Sequence, residues 1–165
     1  MTEESNRRHV FISHHHADDA EVDRLTKLLS KRGSDVRNSS IRAKPANQER
    51  LKKGLVRPEV IRRLLRRKIS WAGKVIVLVG KDTHTRDWVD WEIREANKQG
   101  KRIVGIYTRG GSEADLPPSL ENYASAIVGW NSGCIMDAID GTQNPFENPD
   151  GSPRQPAHVA ASVRC

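Results

Sequence analysis

The sequence predicts an α/β domain in which a parallel β-sheet carries helices on both of its faces. Two observations predict this class. Short apolar runs of strand length alternate with amphipathic segments of helix length, and most connections between them are short. The clearest runs are apolar at almost every position, which is typical of strands that are covered on both sides. A chain of 165 residues is also long enough to form one domain with a substantial core.

The elements of this domain can be placed in order along the chain. A strand over HVFIS (residues 9–13) precedes a helix over residues 17–33, whose Gly33 suits the position just after a helix. SDVRNSS (34–40) is a weaker second strand, and Pro58 suits the first turn of a helix that continues to about residue 70. The remaining pattern gives strands at 74–80, 101–108 and 125–130, helices at 86–100 and 132–141, and a Gly- and Pro-rich loop at 109–123.

The domain boundaries follow from composition. We expect a flexible N-terminus at residues 1–8, one domain at residues 9–141, and a Pro-rich tail at residues 142–165 that is disordered or docked without regular structure. No apolar run approaches 18 residues and no signal-peptide pattern is present, so we expect a cytoplasmic protein that does not enter a membrane. Its two cysteines fit a reducing compartment.

The basic charge of the chain is confined to one segment. Residues 47–70 hold nine Lys or Arg and two Glu, which gives +7 and equals the net charge of the whole protein. Such a helix could bind nucleic acid, an acidic partner or a membrane surface, or it could simply have a solvated basic face. Aromatic residues, which would stack on bases, are absent from its basic face, so we do not expect a nucleic-acid partner.

Several nucleotide and metal sites are excluded by their motifs. The stretch around Gly80-Lys81 lacks the upstream glycine of a P-loop, and no G-x-G-x-x-G follows the first strand. A receiver domain would need acidic residues where His14 and Gly80 stand. The run SHHHAD contains three adjacent histidines, which cannot easily face one ion, and no paired C-x-x-C is present. We therefore expect no metal site.

Glu92 is the residue that least fits its local pattern. In RDWVDWEIREANKQG (86–100), Val89, Ile93 and Ala96 form the apolar stripe of a helix, and Glu92 falls inside that stripe. The carboxylate could form a buried ion pair with a neighbouring element. Alternatively, it is placed for chemistry, because the helix starts at the carboxyl edge of the sheet, where ligands bind in such folds.

Four segments together resemble a TIR-like domain of the bacterial Thoeris defence type. They are HVFISHHHADD, DVRNSSI, KVIVLVGKDTHTRDWVDWEI and GKRIVGIYTRG, and the similarity spans about residues 9–141. Related TIR enzymes carry a W-C-x-x-E signature on the helix after the third strand. Here the stretch from Trp88 to Glu92 matches it except that Val89 replaces the Cys, a departure that removes no obvious catalytic group.

The resemblance implies a fold, a reaction and a set of site residues. The fold is a flavodoxin-like three-layer sandwich with five parallel strands in the order 2-1-3-4-5 and a basic helical segment between strands 2 and 3. The reaction is cleavage of NAD, as substrate and without a further cofactor, by Glu92 acting on the bond between nicotinamide and ribose. The residues expected to contact NAD are Phe11, Ser13, His14, Asn38, Ser39, Ser40, Lys81, Thr83, His84 and Trp88.

The resemblance also implies partners. We expect an enzyme that assembles into a homo-oligomer when a phage-derived trigger activates it, and that makes an ADP-ribose-derived signal for a separate effector protein. The product could be ADP-ribose, a cyclic isomer or a conjugate. The alternative is a non-catalytic TIR signalling module that acts by self-association, for which a carboxylate at Glu92 is not required.

Overall fold

The computed structural model describes eleven stretches of the chain, and every structural statement below concerns these residues: 9–14, 19–31, 33, 35–38, 53–54, 57–81, 83–108, 111–130, 135–141, 145–150 and 152–153. The predicted flexible N-terminus lies outside them. The strands are β1 (His9–Ser13), β2 (Asp35–Asn38), β3 (Lys74–Val79), β4 (Arg102–Tyr107) and β5 (Ala126–Val128). The α-helices are α1 (Asp19–Lys31), α2 (Pro58–Trp71), α3 (Asp87–Lys98), α4 (Pro118–Tyr123) and α5 (Ile135–Asp140).

The five strands form one parallel sheet in the order β2-β1-β3-β4-β5, which confirms the predicted fold class. The register is continuous across the centre of the sheet, where Ser13 of β1 lies opposite Val77 of β3. Because the strands are parallel, their carboxyl ends meet along one edge. The segments that follow β1, β3 and β4 therefore lie side by side.

Alternating side chains of the strands build a core on each face of the sheet. On one face, Phe11 and Val77 pack with buried residues of α2, α3 and α4. On the other face, Ile12 and Ile76 pack with α1 and α5. Neighbouring residues of one strand thus enter different cores, which explains why the strands read as unbroken apolar runs in the sequence.

Within the basic segment, a helix begins at Pro58, where the sequence predicts one. Pro58 stands in the first turn of α2, where its missing N–H costs no hydrogen bond. Ile61, Leu65 and Ile69 are spaced four residues apart and are buried on the sheet, which leaves the arginines on the outer side. No helix in the described parts of the chain is long and apolar enough to cross a membrane.

A half-buried arginine attaches the last helix to the sheet. Arg102, the first residue of β4, donates from Nε and Nη2 to the carbonyl oxygen of Ala138 in α5 at 2.9 and 2.7 Å. Partial burial lowers the pKa of the Arg102 guanidinium below its ordinary value. Arg102 thus provides hydrogen bonds to a carbonyl near the end of α5.

One region differs from the sequence prediction, and a second was left open by it. The loop predicted at 109–123 contains a 3-10 turn (Glu113–Asp115) and α4, which begins at Pro118 and buries Leu120. Within the tail, which the sequence predicted to be disordered or docked without regular structure, residues 145–150 pack against β5. Ile127 donates its N–H to Pro145, and Glu147 donates its own to Ile127. The short, proline-initiated helix and the short docked segment each have too few periodic residues to give a sequence signal.

Candidate functional site

The candidate site lies where the carboxyl ends of β1 and β3 meet the N-terminal half of α3. Ser13 is the last residue of β1 and His14 follows it, while Gly80 follows β3. The chain then forms a 3-10 turn (Thr83–Thr85) before α3 begins at Asp87. The parallel sheet thus brings together residues of three sequence segments, as expected for a ligand site in this class of fold.

Glu92 is fully buried, with 0% of its surface exposed. It belongs to the same buried face of α3 as Val89, Ile93 and Ala96, so the sequence-based expectation of a carboxylate on the apolar face is confirmed. Complete burial is unusual for a glutamate, because removing its charge from water is costly unless hydrogen bonds or other charges compensate.

A serine from the first strand contributes part of that compensation. The Ser13 hydroxyl donates a hydrogen bond of 2.9 Å to Oε1 of Glu92, and both side chains are buried. Oε2 of Glu92 is also shielded from solvent. The bond holds the Glu92 carboxyl group at the end of β1, in a water-poor part of the sheet edge.

Phe11 and His14, the other predicted residues of β1 and its end, are also buried. Phe11 is 0% exposed and belongs to the same core as Val89 and Ile93, so it supports the face of the sheet on which α3 lies. His14 is 1% exposed and directly follows Ser13. Both residues are in the neighbourhood that the sequence predicted, although the structure shows them packed rather than open to solvent.

The three candidates after β3 have different environments. Thr83 is buried, and its hydroxyl closes the turn after the strand by donating to the Gly80 carbonyl and accepting from the Gly80 N–H, both at 2.9 Å. Lys81 is exposed at the start of this turn. His84 is 39% exposed, and its Nδ1 lies 3.7 Å from Oδ1 of Asp115 in the segment after β4. Thr83 thus has a structural role in the turn, while Lys81 and His84 face outward.

Trp88 lies on the side of α3 that faces α2. It is half-buried against the core, its ring meets that of Trp91 edge-on at 6.1 Å, and the Arg62 guanidinium lies 5.7 Å from its ring centre. These contacts show Trp88 as part of the α2–α3 packing. The contact with NAD that the resemblance implies for Trp88 stays a prediction.

The candidates after β2 are only partly described. Asn38 ends β2, opposite Ile12 of β1, which places its backbone at the same edge of the sheet. Its side chain, together with Ser39 and Ser40, lies outside what the structure describes. Their predicted contacts with NAD stay predictions.

The sequence reasoning missed Asp115. Its Oδ2 accepts hydrogen bonds from the Ser112 N–H at 2.9 Å and the Ser112 hydroxyl at 3.0 Å, while Oδ1 faces His84. Asp115 therefore links the segment after β4 to the turn after β3. A signal was present, because a serine followed three residues later by an acidic residue is a common start of a helical turn.

No group of three or more His, Cys, Asp or Glu side chains that could hold a metal ion occurs in the described stretches. His15 and His16 fall outside them. Chemically, the described site offers a buried carboxylate with a neighbouring hydroxyl donor. Such a group can stabilise positive charge that develops on a bound molecule.

Comparisons with known proteins identify a family and a similar solved structure. The family model described as Thoeris protein ThsB, TIR-like domain, matches residues 11–113, which is more than half of the 165-residue chain. A solved structure titled as the crystal structure of a prokaryotic SEFIR domain aligns with a TM-score of 0.46 at 19% identity, and the alignment covers 81% of this chain and 88% of that one. A search of curated proteins gives no match.

Proposed function

The chain belongs to the family of TIR-like domains of the Thoeris protein ThsB, and we propose that it cleaves NAD, releases nicotinamide and makes an ADP-ribose-derived signal. Membership of the family supports the coarser assignment, a TIR module of an anti-phage defence system. NAD cleavage is proposed in addition to that assignment. The reaction takes NAD as its substrate and requires no other cofactor.

One structural observation carries the proposal. Glu92 is completely buried at the end of the parallel sheet, and the Ser13 hydroxyl holds its carboxylate at 2.9 Å. A glutamate that served only for solubility or surface pairing would lie on the outer side of α3, as Glu95 partly does. A chain retains a fully buried acid only where other interactions compensate its desolvation, and a catalytic site is a common place for such an arrangement.

The proposed chemistry uses a single carboxylate. The bond between C1′ of the ribose and the nicotinamide nitrogen breaks, and the electron pair leaves with nicotinamide, which departs as a neutral molecule. Positive charge then develops on the ribose ring, as in glycoside hydrolysis. The Glu92 carboxylate stabilises this charge by electrostatic attraction, which is strong where water is excluded. The leaving group needs no proton.

The ribosyl cation must then be captured by a nucleophile. Water gives ADP-ribose and releases one proton, an atom of the same molecule gives a cyclic isomer, and a small amine gives a conjugate. We favour a signalling nucleotide over simple depletion of NAD, because Thoeris systems pair a TIR protein with a separate effector. Homo-oligomerisation on activation by a phage-derived trigger belongs to the same proposal.

The experiment compares nicotinamide release by the wild-type protein and Glu92→Gln. Each purified protein is incubated with NAD, alone and with lysate of phage-infected cells, and nicotinamide is measured by chromatography. The Gln side chain keeps the shape of Glu and can still accept the Ser13 hydrogen bond, so the variant removes mainly the charge. We expect release to fall by at least about 100-fold, the scale seen when one electrostatic group of an active site is removed.

Glu95→Gln provides the matched control, because it makes the same chemical change one turn further along α3. We expect its rate to stay close to wild type. The mass of the second product identifies the acceptor. Release that persists in Glu92→Gln contradicts the assigned role of Glu92. Absence of release from every protein, with and without infected lysate, contradicts the enzyme and favours the self-associating module.

A further inference from the structure

A groove on the outer side of the α2, α3 and α4 layer combines positive charge with aromatic side chains. It measures about 260 Å³ and is lined by Arg66, Trp91, Arg94, Glu95, Lys98 and Tyr123. Three cations and one anion give the lining a charge of +2. The groove lies on the solvent side of α3, whereas Glu92 belongs to its buried face, so it is separate from the proposed catalytic carboxylate.

The arginines of this surface are held in place by their neighbours. The Arg66 guanidinium lies 5.5 Å from the ring centre of Trp91, and its Nε is 3.7 Å from Oε1 of Glu95. Arg94 donates from Nε to Asp90 at 2.7 Å, and this hydrogen bond raises the pKa of Arg94. A cation over an aromatic ring is attracted to it, which restricts the guanidinium without using all of its N–H donors.

These arginines still have donors to offer. A guanidinium carries five N–H groups, and the Arg94–Asp90 hydrogen bond uses one of them. The side chains of Arg66 and Arg94 are 47% and 61% exposed. Exposed ion pairs contribute little free energy, so an incoming acidic group can share or replace them at little cost.

The charge of the adjacent helix extends this surface. In α2, five Lys or Arg and one Glu give +4 over 14 residues. The part of the chain outside residues 47–70 has equal numbers of acidic and basic residues. The positive potential is therefore concentrated on one layer of the molecule, which is the pattern of a surface that attracts a negatively charged partner.

The ring contacts distinguish between classes of anionic partner. Single-stranded nucleic acids depend strongly on open aromatic faces for base stacking. Here Arg66 lies over Trp91 and Arg62 lies over Trp88, so each indole already has a cation near its ring, and both indoles are partly buried against the core. Arginines that are oriented by ring contacts suit carboxylates, which accept two parallel hydrogen bonds from a guanidinium.

We propose that this groove docks an acidic polypeptide segment of a partner protein. Arg66, Arg94 and Lys98 bind its carboxylates, and the exposed ring of Tyr123 contacts its apolar side chains. Docking at this surface does not depend on NAD cleavage. The proposal therefore stands or fails separately from the role of Glu92.

The test measures binding of a fluorescein-labelled decaglutamate peptide by fluorescence anisotropy, beside a decaglutamine peptide and a ten-nucleotide oligothymidylate. Arg66→Gln combined with Lys98→Gln removes two charges from the groove. Arg24→Gln combined with Lys27→Gln removes two exposed charges from α1, on the other face of the sheet. We expect decaglutamate to bind, with affinity about tenfold weaker in the groove variant, near wild type in the α1 variant, and reduced by added salt.

The indole N–H resonances of the tryptophans give a second readout. Decaglutamate should shift the resonance of Trp91 and leave that of Trp130, which packs on the other face, unchanged. Absence of decaglutamate binding, or an equal loss of affinity in both double variants, overturns the proposal. Oligothymidylate binding that is tighter than decaglutamate binding and equally sensitive to the groove variant overturns it in favour of a nucleic-acid surface.

Discussion

The Ser13 hydroxyl donates a 2.9 Å hydrogen bond to the Glu92 carboxylate across 79 residues of sequence, and neither side chain is exposed to solvent. The contact links the end of β1 to the first half of α3. It explains how the fold tolerates an acid inside an apolar helix face, because a buried carboxylate needs donors to replace the water it has lost. The same contact fixes the orientation of the group that we propose to be catalytic.

The first prediction concerns the coupling between these two residues. Ser13→Ala should lower the free energy of unfolding by about 1–3 kcal/mol, because it removes a hydrogen bond to a buried acidic group. In a Glu92→Met background the same change should cost much less, since no carboxylate remains. Urea unfolding of the wild type, both single variants and the double variant measures the difference. Equal costs of Ser13→Ala in both backgrounds would show that the bond contributes no stability.

The second prediction concerns Thr83 in the turn after β3. Thr83→Val should lower the free energy of unfolding by roughly 1–2 kcal/mol, because the buried Gly80 N–H loses its partner while the shape of the side chain is kept. The Gly80 carbonyl loses the hydroxyl but keeps the Thr83 N–H as a donor. Thr83→Ser should stay close to wild type in the same urea titration. Thr83→Val could instead leave the stability unchanged and raise the NAD concentration needed for half-maximal nicotinamide release. That result would show that Thr83 contacts the substrate.

The central part of the fold could be predicted because its signals are local. The apolar runs around β1, β3 and β4 each identify a covered strand without reference to any other part of the chain. The burial of Glu92 could be predicted for the same reason, since Val89, Ile93 and Ala96 define the apolar face of α3 within two turns.

The partners of these residues could not be predicted in the same way. Nothing in the local sequence of Glu92 indicates that Ser13 is its donor, because that contact depends on the register of β1 and β3 and on where α3 crosses them. The same limit applies to Trp88. Its position in the helix placed it near Glu92, but its contacts with Arg62 and Trp91 depend on how α2 packs against α3.

The third prediction compares two glycines near the sheet. A Cβ at Gly111 would lie 2.2 Å from the carbonyl oxygen of Val79 and 3.2 Å from that of Thr108, both of which are backbone atoms at the carboxyl edge. A Cβ at Gly105 would meet the end of the flexible Leu120 side chain at 2.9 Å. Gly111→Ala must therefore move backbone, whereas Gly105→Ala requires only a side-chain adjustment.

We expect Gly111→Ala to lower the free energy of unfolding by roughly 1–3 kcal/mol, the usual scale of forced repacking, and Gly105→Ala to cost less. Urea titrations of the two variants show which substitution lowers the free energy of unfolding more. A larger cost for Gly105→Ala would mean that the packing of α4 on β4 is less adaptable than the segment after β4, and would contradict the prediction.

The last prediction concerns Phe146, in the segment that docks beside β5. Its side chain is 7% exposed and belongs to the same core as Leu120 and Ile127. Two backbone hydrogen bonds hold the chain on either side of Phe146. The Ile127 N–H donates to the Pro145 carbonyl at 2.9 Å, and the Glu147 N–H donates to the Ile127 carbonyl at 2.8 Å. Phe146 thus contributes an aromatic ring to a core that the strands alone do not close.

Phe146→Ala should lower the free energy of unfolding by about 3 kcal/mol, near the lower end for loss of a buried aromatic ring, because the site is at the edge of the sheet. Val60→Ala, at an exposed position of α2, should stay within about 0.5 kcal/mol of wild type. Urea unfolding distinguishes the two variants. If Phe146→Ala proved as stable as Val60→Ala, residues 145–150 would behave as the disordered tail that composition suggested. The edge of β5 would then have to be stable without this cover, although an uncovered strand edge is prone to pair with other chains.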